Sequence, residues 1–249
     1  MKTELEVTYQ EIISSGNLLL AWQEFVVGKR AKKDVIEFSL NLADNILQLH
    51  GDLANHNYRH GPYKDFFVTD PKLRHIHKAA VSDRLVHHAL YRQLYPYFAK
   101  KFIAHSYSCQ LDKGTHRAII AFSQVAAKVS HNDRRTAWVL QADIRKFFAS
   151  IDHKVLLEIM SKYILDKNII RLLKNIIDSF GHDDGRGLPL GNLTSQLLVN
   201  IYMNEFDKFI KYKLKIKYYL RYADDFVFLA PDKDYLSVLL PLIKTFLNK

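Results

Sequence analysis

Three aspartates stand where apolar runs end. Asp224 and Asp225 separate Arg221-Tyr222 from Phe226-Val227-Phe228-Leu229, and Asp143 closes the β-prone run TAWVLQAD. Adjacent carboxylates repel one another, so such a pair is either a solvated acidic turn or a holder of cations. Three carboxylates converging from strand ends can share two divalent ions about 4 Å apart. Ions so placed activate a hydroxyl, bridge triphosphate oxygens and stabilise departing pyrophosphate. Magnesium suits hard oxygen ligands of this kind. Behind Asp143 come Ile144-Arg145-Lys146-Phe147-Phe148, a basic pair beside two aromatics.

The elements that must position these acids read as an α+β pattern. Tyr218 to Ala230 (YYLRYADDFVFLA) is two apolar strands joined at Ala223-Asp224, and Thr136 to Ile144 supplies a third. Upstream, Val35, Phe38, Leu42, Ile46, Leu49 and Leu53 recur every three or four residues and predict one amphipathic helix from Asp34 to Leu53. A strand pair is expected around Asp70-Pro71, then a helix over Asp83 to Phe98 and another N-capped by Thr115. Further helices are expected at Val155 to Leu165, Ile169 to Phe180 and Thr194 to Tyr212. An extended segment after Asp143 would turn Phe147 and Phe148 to opposite faces.

The 249 residues, 48% hydrophobic with 14 Tyr and 15 Phe, suffice for one large domain or two closely packed subdomains. Sparse Gly (9) and Pro (6) argue for long regular elements. A net charge of +10 favours a polyanionic partner, nucleic acid or acidic lipid. The single cysteine, Cys109, excludes an intramolecular disulfide and a cysteine zinc cluster. Twelve histidines are scattered, and the adjacent pair His87-His88 cannot share a helix face, so no histidine metal site is expected. MKTELEVTYQ lacks an apolar leader and no run of about 18 apolar residues occurs, so a cytoplasmic protein with no membrane partner is expected.

Several segments together resemble reverse transcriptases. Tyr222–Asp225 (YADD) is similar to their YxDD box, and QADIRKFFASIDH (141–153) to their first palm motif. GLPLGNLTSQLLVNIYMNEFD (187–207) resembles the motif running from a nucleotide-facing loop into a palm helix. DPKLRHIHKAAVSDRLVHHALY (70–91) and SYSCQLDKGTHRAI (106–119) match finger motifs, in the expected order.

The resemblance implies a right-hand fold with helical fingers and an antiparallel-sheet palm. It implies an N-terminal helical extension over 1–57, fingers over 58–135 and palm over 136–249, finger elements recurring within 154–195. The sequence stops at PLIKTFLNK, so the helical thumb is expected to be absent. Asp143, Asp224 and Asp225, with the Ile144 carbonyl, would hold two Mg2+ ions, Mn2+ being an acceptable substitute. Phe148 would pack under the sugar and exclude a 2′-hydroxyl. Lys72 and Arg74 would clamp the triphosphate, Leu190 and Gln196 would face the nucleotide, Ala223 would lie beneath the primer terminus and Tyr222 would contact nucleic acid. Lys113 and Arg117 would contact template phosphate or the nucleotide. Gln110 stands where relatives commonly carry Arg.

RNA template, DNA primer and dNTPs are the implied partners. Gly191 to Gln196, Leu190 in place of a usual Gln, Asp83-Arg84, His87-His88 and 113–116 resemble the enzymes of diversity-generating retroelements. Those copy a template-repeat RNA with errors at adenine, and such a system also allows a small basic accessory protein. GKRAKKD (28–34), Arg134-Arg135 and KYKLKIKYY (211–219) either line a nucleic-acid groove or are merely solvated. Two competing readings are a non-polymerising or partner-dependent module of a defence-type or truncated reverse transcriptase, binding RNA or protein, and a magnesium-dependent nuclease. The nuclease explains the acids but neither Phe148 nor Gly187 to Gln196.

Overall fold

A computed structural model describes residues 4–69, 73–180 and 184–248. In chain order the helices are α1 (Tyr9–Ile13), α2 (Ser15–Phe25), α3 (Lys33–Leu40), α4 (Leu42–Ala54), α5 (Val81–Ala99), α6 (Thr115–Val129), α7 (Phe147–Ser150), α8 (His153–Ser161), α9 (Lys167–Asp178), α10 (Leu193–Lys208) and α11 (Lys233–Leu247). The strands are β1 (Lys64–Thr69), β2 (Leu73–Lys78), β3 (Trp138–Ala142), β4 (Tyr219–Tyr222) and β5 (Asp225–Ala230). Mixed helix and sheet is what the patterning called for.

The chain forms two compact units, Met1–Phe98 with Phe148–Leu198, and Ala99–Phe147 with Val199–Lys249. The segment 148–198 belongs with the N-terminal helices rather than with the sheet that follows it in sequence.

In the first unit, side chains cap the helix starts. Thr8 and Glu11 form a reciprocal capping box on α1, Asp152 caps α8 and Asp166 caps α9. Asp166 does double duty, its second oxygen accepting the Tyr9 amide at 2.7 Å and so tying α1 to α9. Ile169, Leu172, Leu173, Ile176 and Ile177 form the buried stripe of α9. The helix expected from Asp34 to Leu53 is instead two, broken at Asn41 (φ −122°, ψ 43°). Asn45 Nδ2 donates to the Phe38 carbonyl at 2.9 Å, replacing a bond of the interrupted ladder. The apolar period runs across this break unchanged, which is why the pattern concealed it. Strands β1 and β2 pair antiparallel from Lys64↔Lys78 to Thr69↔Leu73. Their connection, 70–72, lies outside the described residues.

The second unit is built on the antiparallel sheet β3-β5-β4. Alternation along its strands gives it two apolar faces. On one, Leu220 and Leu229 meet Ala121, Val125 and Val129 of α6. On the other, Phe228 stacks on Tyr219 and meets Phe226 edge-on, and Phe206 of α10 packs on Tyr219, Phe226 and Phe246 of α11. Gly114 at φ 115° is the N-cap of α6, and Thr115, expected there, is the first helical residue. Helix α10 ends at Lys208 and passes into a π-helical turn, Phe209–Lys213. Among the described residues no helix is long and apolar enough to cross a membrane.

Candidate active site

The β4–β5 hairpin turns on two residues, Ala223 and Asp224, between the paired Tyr222 and Asp225. Strand β3 lies on the other side of β5 in a register that ends at Ala142↔Phe226. The next residues on those two strands are Asp143 and Asp225. All three acids therefore sit at one end of one sheet, although about 80 residues separate the first from the others. Asp143 and Asp225 are exposed and Asp224 is half-buried. Ile144, half-buried, follows directly. Carboxylates are oxygen donors of the kind that hard divalent cations take.

Ala223 adopts φ 56°, in the left-handed region. For a residue with a Cβ this costs roughly 1–2 kcal/mol, so something must hold the turn. Arg221 does so, its Nη1 donating to the Ala223 carbonyl at 2.9 Å. This arginine is only 1% exposed. Its Nε and Nη2 form a bidentate pair with Asp207 of α10 at 2.8 and 2.7 Å. Nη2 also donates to Ser106 Oγ at 3.0 Å, and Nη1 to Asn200 Oδ1 at 3.4 Å. All five guanidinium protons are thus placed. Burial opposes the charge on Arg221, but the Asp207 carboxylate outweighs it and holds the group above its ordinary value. Tyr219 donates to the same carboxylate at 2.7 Å, and burial followed by that negative neighbour raises its phenol well above the usual range. The backbone joins in, since Arg221 N donates to His105 O and Tyr107 N to Arg221 O.

None of Arg221, Asp207, Asn200 and Ser106 figures among the sequence-derived site residues. The signal was present as a lone arginine in an otherwise apolar strand and a lone aspartate ending the run IYMNEFD. Gln110, where an arginine was expected from relatives, donates to Ser106 O and Oγ at 3.0 and 2.9 Å. It serves the packing behind the hairpin.

The chain does not stay extended after Asp143. Lys146 takes φ 52° and Phe147–Ser150 makes a helical turn, where successive side chains point about 100° apart. The opposite-face argument for the two phenylalanines is therefore replaced. Phe147 is still buried, at 4% exposure, and Phe148 is half-buried.

In the first unit, the expected nucleotide-facing residues share one backbone framework. Leu188 N donates to Phe148 O at 2.8 Å, and His77 N to Leu190 O at 3.2 Å. Asn192 Nδ2 reaches His77 O at 3.3 Å. Gly191 is at φ 105°, a conformation that favours glycine, and an added Cβ would meet Ile76 Cγ2 at 3.1 Å, so that side chain would have to shift by a few tenths of an ångström. Leu190 and Gln196 are half-buried, and Arg74 is exposed on β2. Lys72 lies outside the described residues.

The basic residues fare unequally. Lys113 bonds to the Ala104 carbonyl and lies over the Tyr107 ring at 5 Å or just under, 4.9 Å to the centroid. Burial and then Arg117 lower its pKa. Arg117 itself is exposed. Tyr222 is exposed, with its hydroxyl accepting from Thr115 Oγ1 at 3.2 Å. Lys211, from the basic run 211–219, is spent on the carbonyls of Ile216 and Lys217. Asp83 accepts from Tyr58 Oη and the Gly61 amide, and Arg84 pairs with Asp34, so this motif pair is engaged in packing the first unit.

Comparison with known proteins gives a consistent result. The family profile described as "Reverse transcriptase (RNA-dependent DNA polymerase)" matches residues 68–249. Protein YkfC of Escherichia coli is 27% identical over 178 residues, which cover 68% of this chain and 46% of that protein. The group II intron-encoded protein LtrA of Lactococcus lactis is 32% identical over 87 residues, 32% of this chain and 14% of that protein. The matched region spans less than half the length of each. A solved structure titled "Partial Cas6-RT-Cas1--Cas2 complex" aligns with a TM-score of 0.56 at 20% identity, covering 98% of this chain and 43% of that one; this is a likeness of fold. With a matched region far exceeding half its length, the chain belongs to the reverse transcriptase family.

Proposed function

We propose that this chain is the catalytic core of an RNA-directed DNA polymerase, with the first unit as fingers and the second as palm. The observation that carries the reading is the arrival of Asp143, Asp224 and Asp225 at one end of the β3-β5-β4 sheet. The three carboxylates and the Ile144 carbonyl would hold two magnesium ions, for which manganese can substitute. When bound, such ions lower the pKa of the attacking 3′-hydroxyl and neutralise charge on the leaving pyrophosphate. The chain's own part is to fix where that happens. Ala223, held by Arg221, leaves room for the primer terminus, and Tyr222 flanks it. Phe148 excludes the 2′-hydroxyl of a ribonucleotide. Arg74, with Lys72, meets the triphosphate, and Arg117, with any donor capacity left to Lys113, meets phosphate of the template. The net charge of +10 supplies a salt-dependent attraction to nucleic acid.

The test is extension of a DNA primer annealed to RNA, with dNTPs and magnesium. Extension that Asp224→Asn abolishes supports the reading. Salt-sensitive RNA binding without extension would instead favour a non-polymerising binding module, and cleavage of the RNA would favour a nuclease. Phe148→Ala should raise ribonucleotide incorporation, and an unchanged deoxy/ribo ratio would remove Phe148 from the sugar site.

We further infer that copying is error-prone, as in the template-repeat RNA systems that Gly191 to Gln196 of this chain resemble. Leu190 presents an aliphatic side chain where an amide is usual, so a mismatch leaves no buried polar group unpaired. A contact of this kind governs about 1–3 kcal/mol of selectivity. Sequenced products of a mixed RNA should show errors at template adenines that Leu190→Gln reduces; uniformly faithful copying would place the chain in another lineage.

A further inference from the structure

Strand alternation puts Asp65, Phe67, His75 and His77 on one face of the β1–β2 hairpin, and Asp65 and His77 are a direct cross-strand pair. Asp65 Oδ1 lies 2.7 Å from His77 Nδ1, and Asp65 Oδ2 lies 3.5 Å from His75 Nε2. The three donor atoms all lie within 4.8 Å of one another. Aromatic rings fix the imidazoles. Phe67 stacks on His75 at 4.6 Å, the two imidazole centroids are 4.2 Å apart, and Phe180 packs edge-on to His77 at 4.5 Å. The side chains of Asp65 and His75 are about half exposed and His77 is 15% exposed, so the cluster is open to water and ions.

We propose that Asp65, His75 and His77 form a transition-metal site, with zinc as the ion whose chemistry fits. Two imidazoles and one carboxylate with a remaining position for water make a tetrahedral N2O set of the kind zinc takes. Zinc requires donors about 2.0–2.2 Å away, hence roughly 3.3–3.6 Å from each other in a tetrahedron, against a present spacing within 4.8 Å. Magnesium prefers an all-oxygen octahedron and is a poor competitor for imidazole. The scatter of twelve histidines in sequence hid the site, because His-x-His is a ligand spacing on a strand and not on a helix.

The site does not stand in the nucleotide's place. Arg74 and Ile76 occupy the opposite face of β2, and Ile76 is the residue that meets Gly191. Yet the backbone of His77 holds both Leu190 and Asn192. A metal joining β1 to β2 through this residue therefore stiffens the strand on which the Leu190–Asn192 loop rests. The inference is independent of the polymerase reading.

The experiment is equilibrium dialysis of the chelator-stripped protein against zinc, with magnesium in excess to occupy carboxylate-only sites, followed by elemental analysis and thermal melting. One zinc per chain is expected that His75→Gln and Asp65→Asn each weaken by more than about 100-fold, since loss of outer-shell partners alone costs 10–100-fold. Zinc should raise the melting temperature of the parent and not of these variants, and cobalt should give visible absorption bands that they lose. His116→Gln, on exposed α6 surface, should keep all three behaviours. Equal zinc content and equal melting shifts in parent, His75→Gln and Asp65→Asn would overturn the proposal and leave Asp65–His77 an ordinary hydrogen-bonded pair.

Discussion

The root and the tip of the β4–β5 hairpin treat charge in opposite ways. At the root, Arg221 and Asp207 are buried to 1% and 0% exposure, locked in a bidentate pair and supported by Ser106, Asn200 and Tyr219. At the tip, two to four residues along the chain, Asp225 and its neighbour Asp143 are exposed, and among the described residues neither side chain carries a hydrogen bond or ion pair. A charge serving the fold must be fully compensated before it can be buried. A charge serving a ligand must be left with bonding capacity. The same few residues of one strand thus divide into a rigid base and an open acidic edge, and the base fixes where the edge stands.

That contrast can be broken from either side. The largest effect is expected at the root. Arg221→Leu leaves Asp207 buried and unpaired, a loss of about 3–5 kcal/mol, seen as a melting temperature lower by roughly 10 °C for a chain of this size. The double variant Arg221→Leu/Asp207→Leu should recover part of this, because the uncompensated charge is gone. A single variant that melts like the parent would show that the pair does not support the hairpin.

At the tip the signs reverse. Asp143→Asn and Asp225→Asn should each lower RNA-templated extension by about 10²–10³ or more, by analogy with the loss of one electrostatic anchor of a transition state. Melting should shift little, since exposed substitutions away from packed features stay within about 0.5 kcal/mol. Loss of activity accompanied by loss of fold would erase the distinction between the two regions.

The first unit has its own buried polar pair, which responds to pH. His60 Nε2 and His87 Nε2 are 3.2 Å apart. Burial, then His60, pulls His87 down to about 3, and burial, then Lys29, pulls the neighbouring His88 down to about 4. Unfolded histidine titrates near 6.5. Between these limits the unfolded chain binds more protons, so stability should fall as pH is lowered from about 6.5 towards 3. Denaturant midpoints measured at about pH 7 and pH 5 should differ accordingly, and His87→Leu should flatten that difference.

The smallest effect concerns the joint between root and tip. Ala223→Gly removes the left-handed penalty of about 1–2 kcal/mol but adds backbone entropy to the unfolded chain worth about 0.5–1. A net gain of between about 0 and 1.5 kcal/mol in stability is expected from denaturant titration. Destabilisation would mean that the Ala223 methyl packs where the turn needs it.

The tip was legible in the sequence and the root was not, for a physical reason. An acid at a strand end interrupts an apolar run, and YADD carries its strands on either side of it. Arg221 and Asp207 are 14 residues apart on a strand and a helix, and each reads as a solvated charge until the fold brings them together. The break at Asn41 escaped because Leu42 keeps the apolar period across it. The turn after Asp143 escaped because Lys146 adopts a positive φ that nothing in IRKFF announces. His75 and His77 lie in the strand pair that the sequence predicts, but only the register shows that Asp65 stands opposite His77.

The claim on which the rest depends is that Asp143 acts with Asp224 and Asp225 on shared ions. Anomalous diffraction from crystals of the protein grown with manganese, an RNA–DNA primer-template and a non-hydrolysable dNTP would test it directly. Two peaks about 4 Å apart, with Asp143 among the ligands of at least one and the Asp224-Asp225 pair completing the set, are expected. Ions held by Asp224 and Asp225 with Asp143 turned away, or no ion at the sheet end at all, would contradict the mechanism.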